Sequence, residues 1–290
     1  MKRCLLIINP YSGKMKINNE LVDVIKILNE NNYSVEVSIT LNHNHAREIA
    51  REKENFDLII CSGGDGTLNQ VISGIIDSNK DVDLGYIPSG STNDFANTLG
   101  LSSNIKEATL NAVKGKSSYV DIGKFNDDYF SYVAAFGMLA DVSYSTPQTA
   151  KNTLGHFAYI LNGVSNISNL KAHKVIVKNK DKIWENNYIL GMVMNTTSVG
   201  GILKMNNVDL NDGLFEVLLI KKPKDLVELN GIINGLISGD FDNPGFQYFK
   251  TSEIFFEFPE EMPWSLDGEK NEAGRIIHIE NLQNKIKIKK

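Results

Sequence analysis

Four short segments carry residue types and spacings that could do chemistry. Three are glycine-bearing loops: Asn9-Pro10-Tyr11-Ser12-Gly13-Lys14, Ser62-Gly63-Gly64-Asp65-Gly66-Thr67 and Pro88-Ser89-Gly90-Ser91-Thr92-Asn93-Asp94. Each directly follows an apolar run of strand type, and the last two open helical patterns at Leu68 and Phe95. Glycine lets backbone approach a phosphate closely, and a helix N-terminus presents free N–H groups and a positive dipole end to an anion. Ser91, Thr92 and Asn93 add neutral donors. Asp65 cannot bind a phosphate by itself, since like charges repel; it suits a metal or a ribose hydroxyl, and so does Asp94. Taken singly, each loop also reads as a tight strand-to-helix turn, with Thr67 and Asp94 as caps. Three at one edge of one predicted sheet, two of them with an internal acid, point to a nucleotide site. The spacing is neither that of a P-loop nor a Gly-x-Gly-x-x-Gly fingerprint. The fourth segment, Asp267-Gly268-Glu269, puts two acids on one turn between strands, which by itself describes a solvated hairpin.

The elements that must position these loops follow from periodicity. Cys4–Ile8, Phe56–Cys61 and Leu84–Ile87 are continuous apolar runs, and Tyr33–Ile39 alternates. Between them, Glu20–Asn31, Ala46–Lys53 and Leu68–Ile76 read as helices. Apolar runs between amphipathic helices predict strands covered on both faces, hence a parallel, doubly wound α/β domain over residues 1–118. Beyond a polar joint at Gly115-Lys116-Ser117-Ser118, the texture changes. Tyr119–Phe125, Tyr129–Phe136, Lys174–Val177, Tyr188–Met194, Phe215–Ile220, Ile254–Phe258, Ile276–Ile279 and Lys285–Ile288 read as strands. Helices are expected near His156–Leu170 and Lys224–Leu236. Residues 119–290 therefore read as a second, mainly antiparallel β domain.

Composition sets the outer limits. The chain has 290 residues, 42% hydrophobic and 22% charged, so it is globular and long enough for two domains without disulfide or metal staples. A net charge of −5 argues against a general nucleic-acid binder. Cys4 and Cys61 sit in apolar runs and read as reduced core residues of a cytoplasmic protein. Met1-Lys2-Arg3 and the apolar run after it end at Asn9-Pro10, too soon for a signal peptide. No run approaches the ~18 apolar residues of a spanning helix, so membrane contact would be peripheral.

With these motifs in view, the chain resembles the diacylglycerol kinase catalytic-domain family, soluble bacterial lipid kinases in particular. The resemblance rests on Asn9-Pro10-x-Ser12-Gly13-Lys14, Gly63-Gly64-Asp65-Gly66-Thr67, Pro88-x-Gly90-x-x-Asn93-Asp94 and Asp267-Gly268-Glu269, in family order along almost the whole chain. The Gly-Gly-Asp-Gly-Thr run is shared with NAD kinases; the Asn-Asp loop together with Asp-Gly-Glu is more specific. The resemblance implies a nucleotide domain, a β-sandwich domain and an active site in the cleft between them. It implies ATP bound at Asn9, Thr40, Gly63, Gly64, Asp65, Gly66, Thr67, Leu68, Asn69, Ser91, Asn93 and Asp94, with Ser91 where the family usually has Thr. It carries the proton acceptor onto Glu269, with Asp267 the other candidate. Mg²⁺ would neutralise the phosphates, with Asp65 and Asp94 helping through water. A structural Mg²⁺ is implied in Asp209-Leu210-Asn211-Asp212-Gly213-Leu214, through Asp212 and main-chain oxygens of Asp209 and Leu214. Those residues also read as an ordinary Asp-Gly turn, and Met205-Asn206-Asn207 departs from the family's Pro-x-Ala upstream.

A lipid acceptor needs an apolar groove. Phe136, Met138 and Leu139, with Phe157, Ile160, Leu161 and Val164 on the helix that follows, are the candidate lining, or equally core. Lys171-Ala172-His173-Lys174, Lys221-Lys222-Pro223-Lys224 and the terminal Lys285–Lys290 run could touch anionic headgroups. The Lys/Ile alternation of the last run also describes a lysine-guarded edge strand. The expected reaction is phosphorylation of a lipid hydroxyl, diacylglycerol giving phosphatidic acid. The alternatives are NAD kinase-like action on a soluble substrate and a non-catalytic nucleotide or lipid sensor. The expected partners are ATP and a lipid at a membrane surface; the oligomeric state is left open, a homodimer included.

Overall fold

The computed structural model describes residues 1–138, 167–199, 203–205, 208–272 and 274–290. The chain folds as two compact units, Met1–Asp121 with Asn284–Lys290, and Ile122–Gln283.

The first unit runs β1 (Lys2–Ile8), α1 (Lys16–Glu30), β2 (Tyr33–Ile39), α2 (His45–Glu52), β3 (Leu58–Gly63), α3 (Asp65–Asp77), β4 (Asp83–Pro88), α4 (Asp94–Leu99) and α5 (Ile105–Lys114), then into β5 (Ser117–Phe125). β1 pairs in parallel with β2 on one side and β3 on the other, and β3 pairs in parallel with β4. The apolar runs are buried as their composition demands: Cys4–Ile8 and Leu58–Gly63 are covered throughout. Ile17, Val24 and Leu28 of α1 and Ile105, Ala108 and Ala112 of α5 pack with Cys4, Leu6, Ile8, Leu58, Ile60 and Ile87. α2 and α3 pack on each other, and α3 on β3. Sequence reading passes over α5, whose Asn104 cap accepts from the amides of Lys106 and Glu107.

The chain leaves β1 towards β2 on one side and returns to β3 on the other. The carboxyl ends of β1 and β3 therefore form a topological switch point, where open α/β sheets bind ligands.

The second unit continues with β6 (Asp128–Phe130), β7 (Val133–Gly137), β8 (His173–Lys178), β9 (Ile183–Met194), β10 (Ser198–Val199), β11 (Leu203–Lys204) and β12 (Phe215–Lys221). Then come α6 (Leu226–Ser238), β13 (Phe246–Thr251), β14 (Glu253–Glu257), β15 (Trp264–Leu266), β16 (Glu269–Asn271) and β17 (Ile276–Lys289). One edge of β9 holds β8 along Ile183–Tyr188 and β7 along Leu190–Met194, while β12 takes its other edge. This twelve-residue strand thus serves three partners, and the unit is strand-rich as expected. Its core gathers Phe125, Phe130, Phe136, Phe215, Phe256 and Trp264, with Phe136 and Trp264 at 4.9 Å between centroids.

Three expectations change here. Phe136 is fully buried in this core and so is not groove lining. Leu139 and the helix bearing Phe157, Ile160, Leu161 and Val164 lie outside the described residues. The two predicted strands at the C-terminus are one strand, β17, and not an edge: it pairs with both β4 and β5. For that reason Asn284–Lys290, placed on sequence in the second domain, belongs to the first unit. Lys287 and Ile288 run parallel to Asp83 and Leu84, and the Lys116 and Lys290 main chains exchange hydrogen bonds.

Candidate active site

In the first unit the three glycine loops meet at the carboxyl edge of the sheet. The strand ladders carry them there: the Asn9 amide donates to the Ser62 carbonyl, Thr40 to Ile8 and Ser89 to Gly63, each at 2.9 Å. Asn9 then spans the switch point, its Nδ2 donating to the Thr67 hydroxyl at 3.0 Å while its Oδ1 accepts the Tyr11 amide. Gly64 and Gly90 are in near contact. A β-carbon on Gly90 would sit 2.6 Å from the Gly64 Cα, which leaves no room for any other residue. Gly13 closes the third side: its φ is +44°, and a β-carbon there would fall 1.8 Å from the Ser89 carbonyl oxygen.

Asn93, also at positive φ, ties its own loop shut. Its Oδ1 accepts the Gly90 amide at 2.9 Å and its Nδ2 donates to the Gly90 carbonyl at 3.0 Å. Beneath it lies Tyr86, buried, whose hydroxyl reaches the Gly63 carbonyl and Asn93 Oδ1. Burial pushes the Tyr86 phenol well above its ordinary range, the Asp65 carboxylate adding to this, so it stays a neutral donor. Sequence reading did not single out Tyr86. Its apolar neighbours Leu84 and Ile87 made it look like one more core residue.

Asp65 takes a role that neither sequence alternative gave it. Its Oδ2 accepts the Asp94 amide at 3.0 Å and its Oδ1 the Phe95 amide at 3.4 Å, so it caps α4 from another loop. α3, by contrast, has Gly64 at its N-cap and no side-chain cap. With Gly64 at its N-cap and the Asp65 carboxylate drawn to α4, α3 receives no side-chain cap from its N-cap residue. That is the electrostatic arrangement an oxyanion needs.

The other predicted residues divide. Thr40 and Thr67 are buried at this edge, Asp94 is buried at the start of α4, and Ser91 is exposed at the loop tip. The Leu68 side chain points into the core and its amide donates to the Gly64 carbonyl, so it offers no ligand. Asn69 accepts from the Ser73 hydroxyl inside α3.

The second unit holds the Asp267-Gly268-Glu269 turn. Leu266 pairs with Glu269, and Asp267 and Gly268 have φ of +50° and +86°, which makes a two-residue type I′ hairpin turn. It is not a solvated one. Asp267 is buried, and its carboxylate accepts the amides of Ser131, Tyr132 and Val133 at 2.6, 3.0 and 3.0 Å. These bonds split the expected Tyr129–Phe136 strand into β6 and β7. Burial pushes the Asp267 carboxyl up to about 6, against the pull of the three amides. Glu269, two residues on, is exposed. The two acids that sequence could not separate thus stand in opposite environments.

The Asp209–Leu214 loop is where the implied structural ion would sit. The Asp212 Oδ1 accepts the Leu214 amide at 2.9 Å, and its Oδ2 faces the Lys250 ammonium at 3.8 Å. Asp209 is exposed and its Oδ1 accepts the Asn211 amide. No group of three or more His, Cys, Asp or Glu side chains suited to an ion occurs among the described residues. With the Asp212 carboxylate already facing an ammonium, this loop does not fit a resident divalent ion.

Comparison with known proteins gives first the class. Residues 3–125 match the family model of the diacylglycerol kinase catalytic domain, a kinase domain that uses ATP. The chain belongs to that family. It is 33% identical over 274 residues to the diacylglycerol kinase of Bacillus subtilis (strain 168), an alignment covering 93% of this chain and 90% of that one. It is 35% identical over 272 residues to the diacylglycerol kinase of Staphylococcus saprophyticus, covering 92% and 89%. Among solved structures it is similar to a Bacillus anthracis str. Sterne protein assigned as a diacylglycerol kinase, with TM-score 0.84 and 26% identity, covering 99% of this chain and 94% of that one.

Proposed function

We propose that this kinase transfers the γ-phosphoryl group of MgATP to the hydroxyl of a membrane lipid, with diacylglycerol the substrate and phosphatidic acid and ADP the products. The observation that carries the nucleotide half is the meeting of Gly13, Gly64 and Gly90 beneath the uncapped first turn of α3. The lipid half is supported by the names of relatives aligned over nine-tenths of the chain.

In this reading the α3 amides and the Gly90–Asn93 loop hold the triphosphate, and Asn9 and Thr40 flank it. Mg²⁺ arrives with ATP as part of the substrate and supplies charge neutralisation. Asp65 and Asp94 would help hold it through water. Glu269, the exposed acid, accepts the proton of the lipid hydroxyl as that oxygen bonds to the γ-phosphorus. The β–γ bridging P–O bond breaks, and ADP leaves with its electron pair. Asp267 orders the turn that presents Glu269. A lipid substrate implies peripheral contact with a bilayer, and no helix among the described residues is long and apolar enough to cross one.

The test is incubation with labelled ATP and a panel of diacylglycerol, ceramide, sphingosine, phosphatidylglycerol and undecaprenol micelles, with NAD as the soluble control. Label in phosphatidic acid is the expected result. Phosphorylated NAD with no labelled lipid, or no transfer to any acceptor, would overturn the reading in favour of a soluble substrate or a sensor respectively.

A further inference from the structure

The Asp209–Leu214 loop and the strands beside it bring two carboxylates to one ammonium. Glu216, the second residue of β12, is 1% exposed. Its Oε1 lies 2.7 Å from Nζ of Lys250, its cross-strand partner on β13. Its Oε2 is buried with no partner in any other described residue. On its other side the partner on β9 is Met194, fully buried and without a hydrogen to give. From the loop, Asp212 turns Oδ2 to the same ammonium at 3.8 Å. A carboxylate buried this deeply is tolerated only when paired.

We propose that the Lys250 ammonium is the built-in cation of the Asp209–Leu214 loop, holding Asp212 and Glu216 together where a divalent ion would otherwise be required. The oxygens are of the kind a hard cation takes: two carboxylates. Lys250 reaches them from the adjacent strand as a permanent part of the chain, so the loop is ordered in the absence of any ion. Burial pushes the Glu216 carboxyl up and the neighbouring ammonium pulls it back, while the bond to Glu216 holds the Lys250 ammonium above its usual range. The pair is therefore interdependent. Removing Lys250 leaves the buried Glu216 and the neighbouring Asp212 without their cation.

The test reads thermal unfolding of the full chain without nucleotide, in EDTA and in millimolar MgCl₂ or CaCl₂, and is independent of which substrate is phosphorylated. The wild type is expected to differ by less than about 1 °C between these conditions. K250M, which keeps the stem but loses the charge, is expected to unfold about 6–20 °C lower in EDTA and to regain about 5 °C or more with Ca²⁺ or Mg²⁺. The double variant E216Q/K250M should recover much of the loss and lose the ion response. Should K250M fail to fold, recovery of folding in the double variant supports the same conclusion. Wild-type protein that is destabilised by EDTA, K250M as stable as wild type, K250M with no ion response, or a double variant no better than K250M would each overturn the proposal.

Discussion

The Gly64–Gly90 approach gives the sharpest mechanical test of the nucleotide site. Replacing Gly90 by Ala puts a methyl group 2.6 Å from the Gly64 Cα and 2.6 Å from Asn93 Oδ1. The φ of Gly90 is not in the left-handed region, so the cost is steric alone. Relief requires the two loops to part by about 0.8 Å, from 2.6 Å to the 3.4 Å at which ordinary contact begins. Overpacking of this kind costs about 1–3 kcal/mol, and at about 2–4 °C per kcal/mol that is a fall in Tm of roughly 2–12 °C. Displacement of phosphate-binding amides by close to 1 Å is expected to lower kcat/KM by about 10²-fold. Gly64→Ala is the control. Its β-carbon would lie 3.4 Å from the Gly90 Cα and 3.7 Å from the Ser12 hydroxyl, so its Tm should stay within about 2 °C of wild type. Calorimetry and ATP titration of both variants decide the matter. A Gly90→Ala protein with unchanged Tm and ATP affinity, or a Gly64→Ala protein destabilised as much, would refute the reasoning.

Other consequences are open to direct measurement. Glu269→Gln should lower kcat by about 10²–10⁴-fold with Tm nearly unchanged, since the side chain is exposed. Asp267→Ala should instead unfold the protein several degrees early, because three buried amides lose their acceptor at once. Asp267 also sets a pH dependence. Its carboxyl binds a proton more tightly folded (about 6) than unfolded (3.8), so its contribution to stability is full below about pH 4 and is lost as pH rises to about 6, by about 3 kcal/mol. Denaturant titrations across that range should show this slope in the wild type and not in Asp267→Asn. Asp65→Ala should cost about 0.5–2 kcal/mol by uncapping α4, and should weaken ATP binding as the Asn93-Asp94 loop loses its anchor.

The first unit was legible in the sequence because its signals are local. Cys4–Ile8 and Leu58–Cys61 are apolar end to end, Leu68–Ile76 has a clear helical period, and the glycine loops directly follow such runs. α5 escaped because its buried face, between Ile105 and Val113 at its ends, uses Ala108, Thr109 and Ala112, small residues that barely raise the hydrophobic signal. β17 was read as two strands because Glu280-Asn281-Leu282-Gln283-Asn284 interrupts the alternation of isoleucines. What no local reading could supply is the partner of a side chain. Asp267 takes its amides from residues 134–136 positions earlier, and Asp65 caps a helix 29 positions later. Each acid was visible as chemistry, and its actual neighbours were set by the fold. The same holds for Glu216, which looks like one polar residue in an apolar strand until β13 brings Lys250 beside it.

The return of residues Asn284–Lys290 to the first unit bears on how the protein comes into being. The strand that lies between β4 and β5 is synthesised only after the whole of the second unit. Until then the nucleotide half carries an unsatisfied strand border at β4, open to adventitious pairing. A kinase assembled in this order gains a finished first unit only after the second has been made, and a product cut short before Asn284 is left without one.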